Sequence, residues 1–391
     1  MTRGTLVFLL LAALFFSSAA LSPPLSGEEA AAPSGGLPAE SPPAAAEGAL
    51  PAILFTAPGD GDFAAFGRSA VLGARLAHRV YGGGFELVVE NEGGGPLFNR
   101  VSRFGRVKAA AGHLFEGSLE ENAPYYQRYE IPVLLPFLDN WRTADLGGGF
   151  YQMMPSVPAQ AEILAERTLK GSGKLSRIVI LETPAPPFAL LASTYAATLK
   201  DPSALRRGKQ KAPRKLGAKI PVQRYVLRDL RELPLIVAEN KMGPRDVVLL
   251  ALSQTQAVQA APYFMESNFQ KTAFLAPSSL AVRDVARAFL AANLTLEVVV
   301  PYDMRDTKNA AFNEFVHRFR ILNKAEPAWP SLAAYDAVTM AIKVGSVPEG
   351  ERYLTTGERG PEGLSGFYSF SDGLVPGRVA TVTKDSAVYY P

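Results

Sequence analysis

Three histidines, His78, His113 and His317, are the chain's only imidazoles, and it has no cysteine. The histidines stand far apart, so no local metal site is suggested. The lack of thiols removes disulfides, thiolate ligands, cysteine nucleophiles and a lipid-modified N-terminal cysteine. No G-x-S-x-G, P-loop, H-E-x-x-H or G-x-G-x-x-G motif occurs. Glycine triplets at Gly82–Gly84, Gly93–Gly95 and Gly147–Gly149 read as turns. The first and third do not lead from strand into helix, and the second lacks a lysine or a helix start. The cation-rich stretch Arg206–Lys219 contains no aromatic residue to stack on bases, and the formal net charge is only +3. It reads as a solvated insertion, with no nucleic-acid partner expected. The sequence therefore predicts a protein that is not an enzyme and needs no cofactor or metal.

What remains is a set of loops that could hold a small molecule. "FTAPGDGDFAAFGRSAVLGARLAHRV", Phe55–Val80, passes from an apolar run through a Gly/Asp loop into a helical pattern. Two rings, Phe63 and Phe66, stand where that helix begins. Phe63 reads as core and Phe66 as a ring facing a cleft. The 391 residues are too many for one ordinary core, and 48% apolar with 20% charged residues is a globular balance. Strand-like runs occur at Ala52–Thr56, Phe85–Glu90, Val107–Ala111, Ile131–Leu135, Arg177–Leu181, Ile220–Tyr225, Val247–Leu252, Thr272–Ala276 and Leu296–Pro301. Helical patterns such as Ser69–Tyr81 and Ala159–Lys170 separate them. This alternation predicts an α/β fold of two Rossmann-like lobes with parallel sheets, ligands meeting the loops at the carboxyl ends of the strands.

The N-terminus reads as a targeting segment. Arg3 precedes an apolar run, Leu6–Phe16, and then Ser17–Ala20. The run is short for a bilayer span, and small residues follow it as signal peptidase requires. Residues 1–20 are read as a cleaved signal, with an uncleaved anchor as the alternative. Residues 21–49 are rich in Pro, Ala, Gly, Ser and Glu and read as a disordered linker. With no lipid-accepting cysteine, the expected location is the periplasm, free of the membrane.

The order of segments resembles the type I periplasmic solute-binding proteins of ABC importers, in the branched-chain amino acid class. "TAPGDGDFAAFGRSAVLGARLA" is similar to the family's first loop and helix, and "FELVVENEGGGP" to its second strand and acidic turn. "EIPVLLPFLDN" resembles the "VP-x-I-S-x-x-A-T-N" strand, and "FYQMMPSVPAQAEILAE" the first crossing between lobes. "NAAFNEFVHRFRILNKAEPAWPSLAAYDAVTMAI" resembles the helix pair ending in "A-Y-D-A", and "GLSGFYSFSDGLVPGRVATVTKDSAVYY" the terminal hairpin. The resemblance implies lobe one at residues 50–154 and 277–361 and lobe two at 155–276 and 362–391. A three-segment hinge would lie near Met154, Ala276 and Gly360, and "GFYSFSDG" would complete lobe two.

It further implies that the protein captures a small ligand between its lobes. A membrane ABC permease would then recognise the closed form. A sensor or envelope scaffold of the same fold is the alternative, and a monomer is expected. The implied ligand positions are Phe66, Glu116, Asp139, Asn140, Phe188, Ser253 and Ser278. They depart from the amino-acid binders. The carboxylate-gripping Ser and Thr fall at Glu116 and Asp139, the tyrosine of a "G-G-Y" turn at Ser253, and the ammonium-binding acid near Ser278. A carboxylate cannot donate to another carboxylate unless protonated. Glu116 reads equally as a helix start and Asp139 as an N-cap. Protein from a native-like host is expected to begin near Leu21 and to fractionate as soluble. N-terminal sequencing and a salt-washed membrane pellet check this, and retention in the pellet would show that Leu6–Phe16 is an anchor.

Overall fold

The computed structural model describes residues 49–101, 104–138, 146–171, 175–205, 220–240, 243, 245–265, 269–304, 308–347, 350–355, 361–370 and 375–383. The segment expected to be a signal, nearly all of the expected linker, the basic stretch Arg206–Lys219 and the Asp139–Asn140 pair lie outside these residues.

The first strands are β1 (Ala52–Ala57), β2 (Glu86–Asn91), β3 (Val107–Gly112), β4 (Val133–Leu135) and β5 (Phe150–Gln152). They form one parallel sheet in the order β2-β1-β3-β4-β5. Helix α1 (Ala64–Tyr81) links β1 to β2, and α2 (Glu116–Arg128) links β3 to β4. After α3 (Val157–Gly171) come β6 (Arg177–Glu182), α4 (Pro186–Lys200), β7 (Val222–Val226), β8 (Asp246–Ala251), α5 (Gln254–Ala260), β9 (Ala273–Ala276), α6 (Arg283–Ala291) and β10 (Thr295–Val300). The chain ends with α7 (Ala310–Asn323), α8 (Trp329–Gly345), the short strands β11 (Glu362–Gly363) and β12 (Gly366–Phe367), and β13 (Arg378–Thr381). The second sheet has the order β13-β10-β9-β8-β6-β7, parallel throughout except that β13 runs against β10. Every residue of β1 and β8 is buried. Helices cover both faces of such sheets, so their strands read as unbroken apolar runs.

The expected division of the chain differs from the observed one in two places. Thr295–Val300 was expected in lobe one, but β10 pairs with β9 from Thr295↔Ala273 to Val298↔Ala276 in the second sheet. The connection through α6 is an ordinary βαβ crossover, which sets the new strand beside the old one. An apolar run has the same pattern whichever sheet it joins. The chain therefore leaves the second sheet after Val300, not near Ala276. The "GFYSFSDG" turn, Gly366–Gly373, was expected to complete lobe two. Among the described residues, β11 and β12 pair with each other, and β13, within the stretch assigned to lobe two, joins the second sheet.

Helix α8 ties the far end of the chain to the first sheet. Nearly all of its side chains are buried, from Trp329 to Val344, as befits a helix apolar on every face. It packs against β3 and β1 and along α1. The approach to α1 is close: a Cβ on Gly73 would lie 1.9 Å from the carbonyl oxygen of Ser331. Ser69 and Ser331 share a hydroxyl hydrogen bond of 2.8 Å at the same crossing. Asp336 of α8 holds the hairpin, its carboxyl accepting from Leu364 N (2.8 Å), Ser365 N (2.9 Å) and Tyr368 Oη (3.3 Å). Burial pushes its pKa up, and the hydrogen bonds from Ser365, Leu364 and Tyr368 act against that rise.

Three connections join the sheets: β5 to α3, β10 to α7, and β12 to β13. The first and third touch, since a Cβ on Gly377 would lie 2.7 Å from Pro155 Cγ. Gln160, fully buried, donates to Pro155 O (2.9 Å) and accepts from Ser278 N (2.7 Å). It thereby fixes the first connection to the loop after β9. Gly73→Ala is expected to cost about 1–3 kcal/mol through overpacking against backbone, lowering Tm by several degrees. Gly83→Ala, with open space at its Cβ, is the control that leaves Tm unchanged in the same scanning calorimetry.

Candidate functional site

In parallel sheets of this kind, ligands bind beyond the carboxyl ends of the strands. At that edge of the first sheet, two neighbouring residues at the end of β2 organise the loops. Asn91 Oδ1 accepts from Gly59 N (2.8 Å), and its Nδ2 donates to Asp60 Oδ2 (2.9 Å). The β1–α1 loop is pinned this way. Glu92 turns inward and is buried. Its carboxyl accepts from Leu114 N (2.9 and 2.8 Å) and Phe115 N (2.8 Å), pinning the β3–α2 loop.

A buried polar chain backs that loop. His113 Nδ1 lies 3.4 Å from Glu92 Oε1, and His113 Nε2 lies 2.9 Å from Tyr126 Oη. The network suits a His113 that donates from Nδ1 and accepts the tyrosine proton at Nε2. Burial, reinforced by the charge of Glu92, drives the Tyr126 pKa upward, with Arg100 opposing it. The turn itself is demanding. Gly112 has φ +121°, and a Cβ there would lie 2.1 Å from Thr56 O. His113 follows at φ 60° and donates its N–H to Thr56 Oγ1 at 2.9 Å. The Glu92–His113–Tyr126 chain is thus a support for the loop, and only its outward residues face the edge.

The two rings at the start of α1 exchange their expected roles. Phe66, read from sequence as cleft-lining, is 7% exposed and packs edge-to-face on Phe137 (5.0 Å) and Trp329 (5.3 Å). It shares the buried face of α1 with Ala70, Gly73, Ala74 and Ala77, the i, i+4, i+7/8 spacing of a single stripe. Phe63, read as core, is 37% exposed in the turn before the helix. It meets Phe115, 36% exposed, edge-to-face at 5.3 Å.

The remaining expected positions are placed as follows. Glu116 is half-buried and opens α2. Asp139 and Asn140 are outside the described residues. At the second sheet, Phe188 lies in the first turn of α4 and packs on that sheet's core. Ser253 caps α5 in a capping box: its Oγ accepts from Gln256 N (3.3 Å) and Gln256 Oε1 accepts from Ser253 N (3.0 Å). The S-x-x-Q pattern was present in the sequence. Ser278 follows β9, is 7% exposed, and gives its backbone N–H to Gln160. Of these positions, the described ones, Glu116, Phe188, Ser253 and Ser278, follow the carboxyl ends of β3, β6, β8 and β9.

Two further polar atoms went unnoticed in the sequence. Thr183 Oγ1, one residue past β6, and Trp329 Nε1, in the ring cluster around Phe66, are buried without a hydrogen-bond partner among the described residues. Buried atoms of this kind mark places where a ligand or water completes the bonding. Cavity size points elsewhere. A space of about 930 Å³ lined by Lys108, Tyr129, Ile131 and Phe150 lies at the amino ends of the first sheet's strands. Another of about 710 Å³ lies between α8 and the hairpin, lined by Tyr335, Asp336 and Leu364. Neither draws residues from the loops at the carboxyl ends, so strand polarity is the better guide to the site. No group of three or more metal-ligating side chains is assembled among the described residues. None of their helices is long and apolar enough to cross a membrane.

No protein-family model matches the sequence. No curated protein matches it either. Solved structures do resemble the fold. A protein assigned to branched-chain amino acid ABC transport in Rhodospirillum rubrum superposes with TM-score 0.61 at 14% identity, over 85% of this chain and 96% of that one. A leucine-binding protein, LivK, from Thermotoga maritima gives TM-score 0.59 at 16% identity, over 86% and 100%. An ABC-transporter solute-binding protein from R. palustris in complex with benzoate gives TM-score 0.59 at 15% identity, over 86% and 94%. The fold is that of the type I periplasmic binding proteins.

Glu92→Gln is expected to lower stability by about 1.5–3 kcal/mol, because its amide can accept on one side only while the loop presents backbone donors to both oxygens. Hydrogen exchange at Leu114 and Phe115 should accelerate in step with the loss of Tm. Unchanged exchange at both amides would show that Glu92 does not hold the loop.

Proposed function

We propose that the chain is an extracytoplasmic solute-binding protein that captures a small molecule between its two sheet-centred lobes and delivers it to an ABC permease. The observation that carries this reading is the extent of the likeness. About 85% of the chain, both sheets included, superposes on nearly the full length of ABC-transporter binding proteins. The named neighbours bind leucine or benzoate; this chain's ligand is to be sought among amino acids, amines, amides and aromatic acids. Binding closes such a protein because the ligand contacts both lobes only when they meet. No catalytic step is invoked and no cofactor takes part. The proposed location is the periplasm, as a monomer.

The ligand-facing residues we assign are Glu116, Asp139 and Asn140 on lobe one and Phe188, Ser253 and Ser278 on lobe two, with Phe66 behind them. Glu116 offers an acceptor where an amino-acid binder of this class has a hydroxyl, so a cationic or donor-rich group should face lobe one. One observation favours a second reading, a sensor or scaffold that docks a receptor without carrying solute. The ring aligned with the family's ligand-facing aromatic, Phe66, is covered by the protein's own Phe137 and Trp329.

A thermal-shift screen of those four solute classes on the mature chain separates the two. A ligand at a hundred times its Kd stabilises by about 2.7 kcal/mol and should shrink the radius of gyration in X-ray scattering. Glu116→Gln should then weaken binding of a cationic hit by about ten- to a hundredfold. No shift with any solute, together with retention of a membrane protein on immobilised chain, would favour the scaffold.

A further inference from the structure

We infer that Phe63 and Phe115 form a ring-recognition corner that makes this chain prefer ligands carrying a planar aromatic ring over branched aliphatic ones. The inference rests on the solute-binding reading and specifies the ligand class of that site. Three observations lead to it.

The first is exposure. Both rings stand at the carboxyl edge of the first sheet and remain more than one-third exposed, whereas Phe55, Phe66, Phe104 and Phe137 of the same lobe are 7% exposed or less. The second is rigidity. Each ring sits on a loop held by a different residue of one dipeptide. Asn91 accepts from the Gly59 backbone N–H and donates to the Asp60 carboxylate ahead of Phe63, and Glu92 takes the backbone N–H of Phe115 itself. A contact surface held in place before binding loses little freedom when a ligand arrives.

The third is geometry. The rings meet at 5.3 Å with their planes at 81°, which makes an L-shaped corner. A third flat ring can lie against one face while turning its edge to the other, the two arrangements aromatic pairs prefer. A branched aliphatic group gains only buried area there. The preference therefore belongs to ring shape and not to apolarity alone.

The test uses matched pairs that share a head group and differ in the body: phenylalanine with leucine, benzylamine with isopentylamine, benzamide with isovaleramide, and benzoate with isovalerate. Kd values are measured by calorimetry on the mature chain and on Phe63→Ala, Phe115→Ala and Phe115→Leu. Within whichever pair binds, the ring member should bind about tenfold more tightly, and each variant should bring that ratio towards one. Phe115→Leu keeps the bulk and the fold, so it decides the matter if an alanine variant fails to fold. A wild-type ratio of one or less overturns the inference, and so does a ratio unchanged in the variants. Equal loss for both members of a pair also overturns it, since the rings would then serve lobe closure. If none of these pairs binds but another solute does, the ring corner is wrong and the solute-binding reading stands. If no solute binds at all, that reading fails and the inference fails with it.

Discussion

The contact between α1 and α8 is the constraint on which the first lobe depends. Helix α8 begins about 270 residues after β1, yet it packs along α1 and against β1 and β3 of the first sheet. The crossing works because Gly73 brings the two backbones within reach of one another at Ser331. A lobe whose helix layer is completed from the far end of the chain cannot finish folding until the chain has passed through the second sheet and returned. The three connections between the sheets follow from this topology. So does the anchoring of the hairpin, because Asp336, which holds it, lies on the same helix.

That contact also explains where the rings go. A helix buried against another along one stripe must give the core whatever residue starts the stripe. On α1 the stripe runs through Phe66, Ala70, Gly73, Ala74 and Ala77. Small residues let α8 approach, and the one large residue at the end fills the wedge beside Phe137 and Trp329. Phe63 precedes the helix by one residue and escapes the stripe. Counting fours and threes back from Ala77 passes Gly73, Ala70 and Phe66 and would reach Phe63 next, so the start of the helix at Ala64, not its phase, separates the two rings.

The nine apolar runs all became strands, because parallel strands covered on both faces cannot disguise their composition. What the runs could not convey is which sheet a strand joins. Thr295–Val300 is as apolar as its neighbours, and only pairing with Ala273–Ala276 assigns it to the second sheet. The very short strand Phe150–Gln152 carries too little pattern to be told from a connecting segment. The Glu92–His113–Tyr126 chain was equally hidden. Its members are separated by 21 and 13 residues, and a buried acid has the same letter as a solvated one. Ser253 is the opposite case, because S-x-x-Q ahead of a helix announces a cap and so accounts for its hydroxyl.

The polar residues of the lobe-one edge share a division of labour that bears on specificity. Side chains that could have gripped a ligand, Asn91 and Glu92, are spent on backbone N–H groups of the loops. Those loops expose the rings of Phe63 and Phe115 and the Asp60 carboxylate, with Glu116 at the opening of α2. In the function proposed above, such an edge would discriminate by shape and by the acids assigned to it, Glu116 and Asp139, and not by paired hydroxyls reaching for a carboxylate. Hydrophobic walls separate ligands differing by a methylene only weakly, while a misplaced charge is rejected strongly. The fold alone would place leucine and benzoate on the same footing, since a leucine-binding protein and a protein in complex with benzoate both share it. In the proposed function, selectivity would therefore come from the loop side chains, and on lobe one the loops of Phe63 and Phe115 are held in place by two adjacent residues of a single strand end.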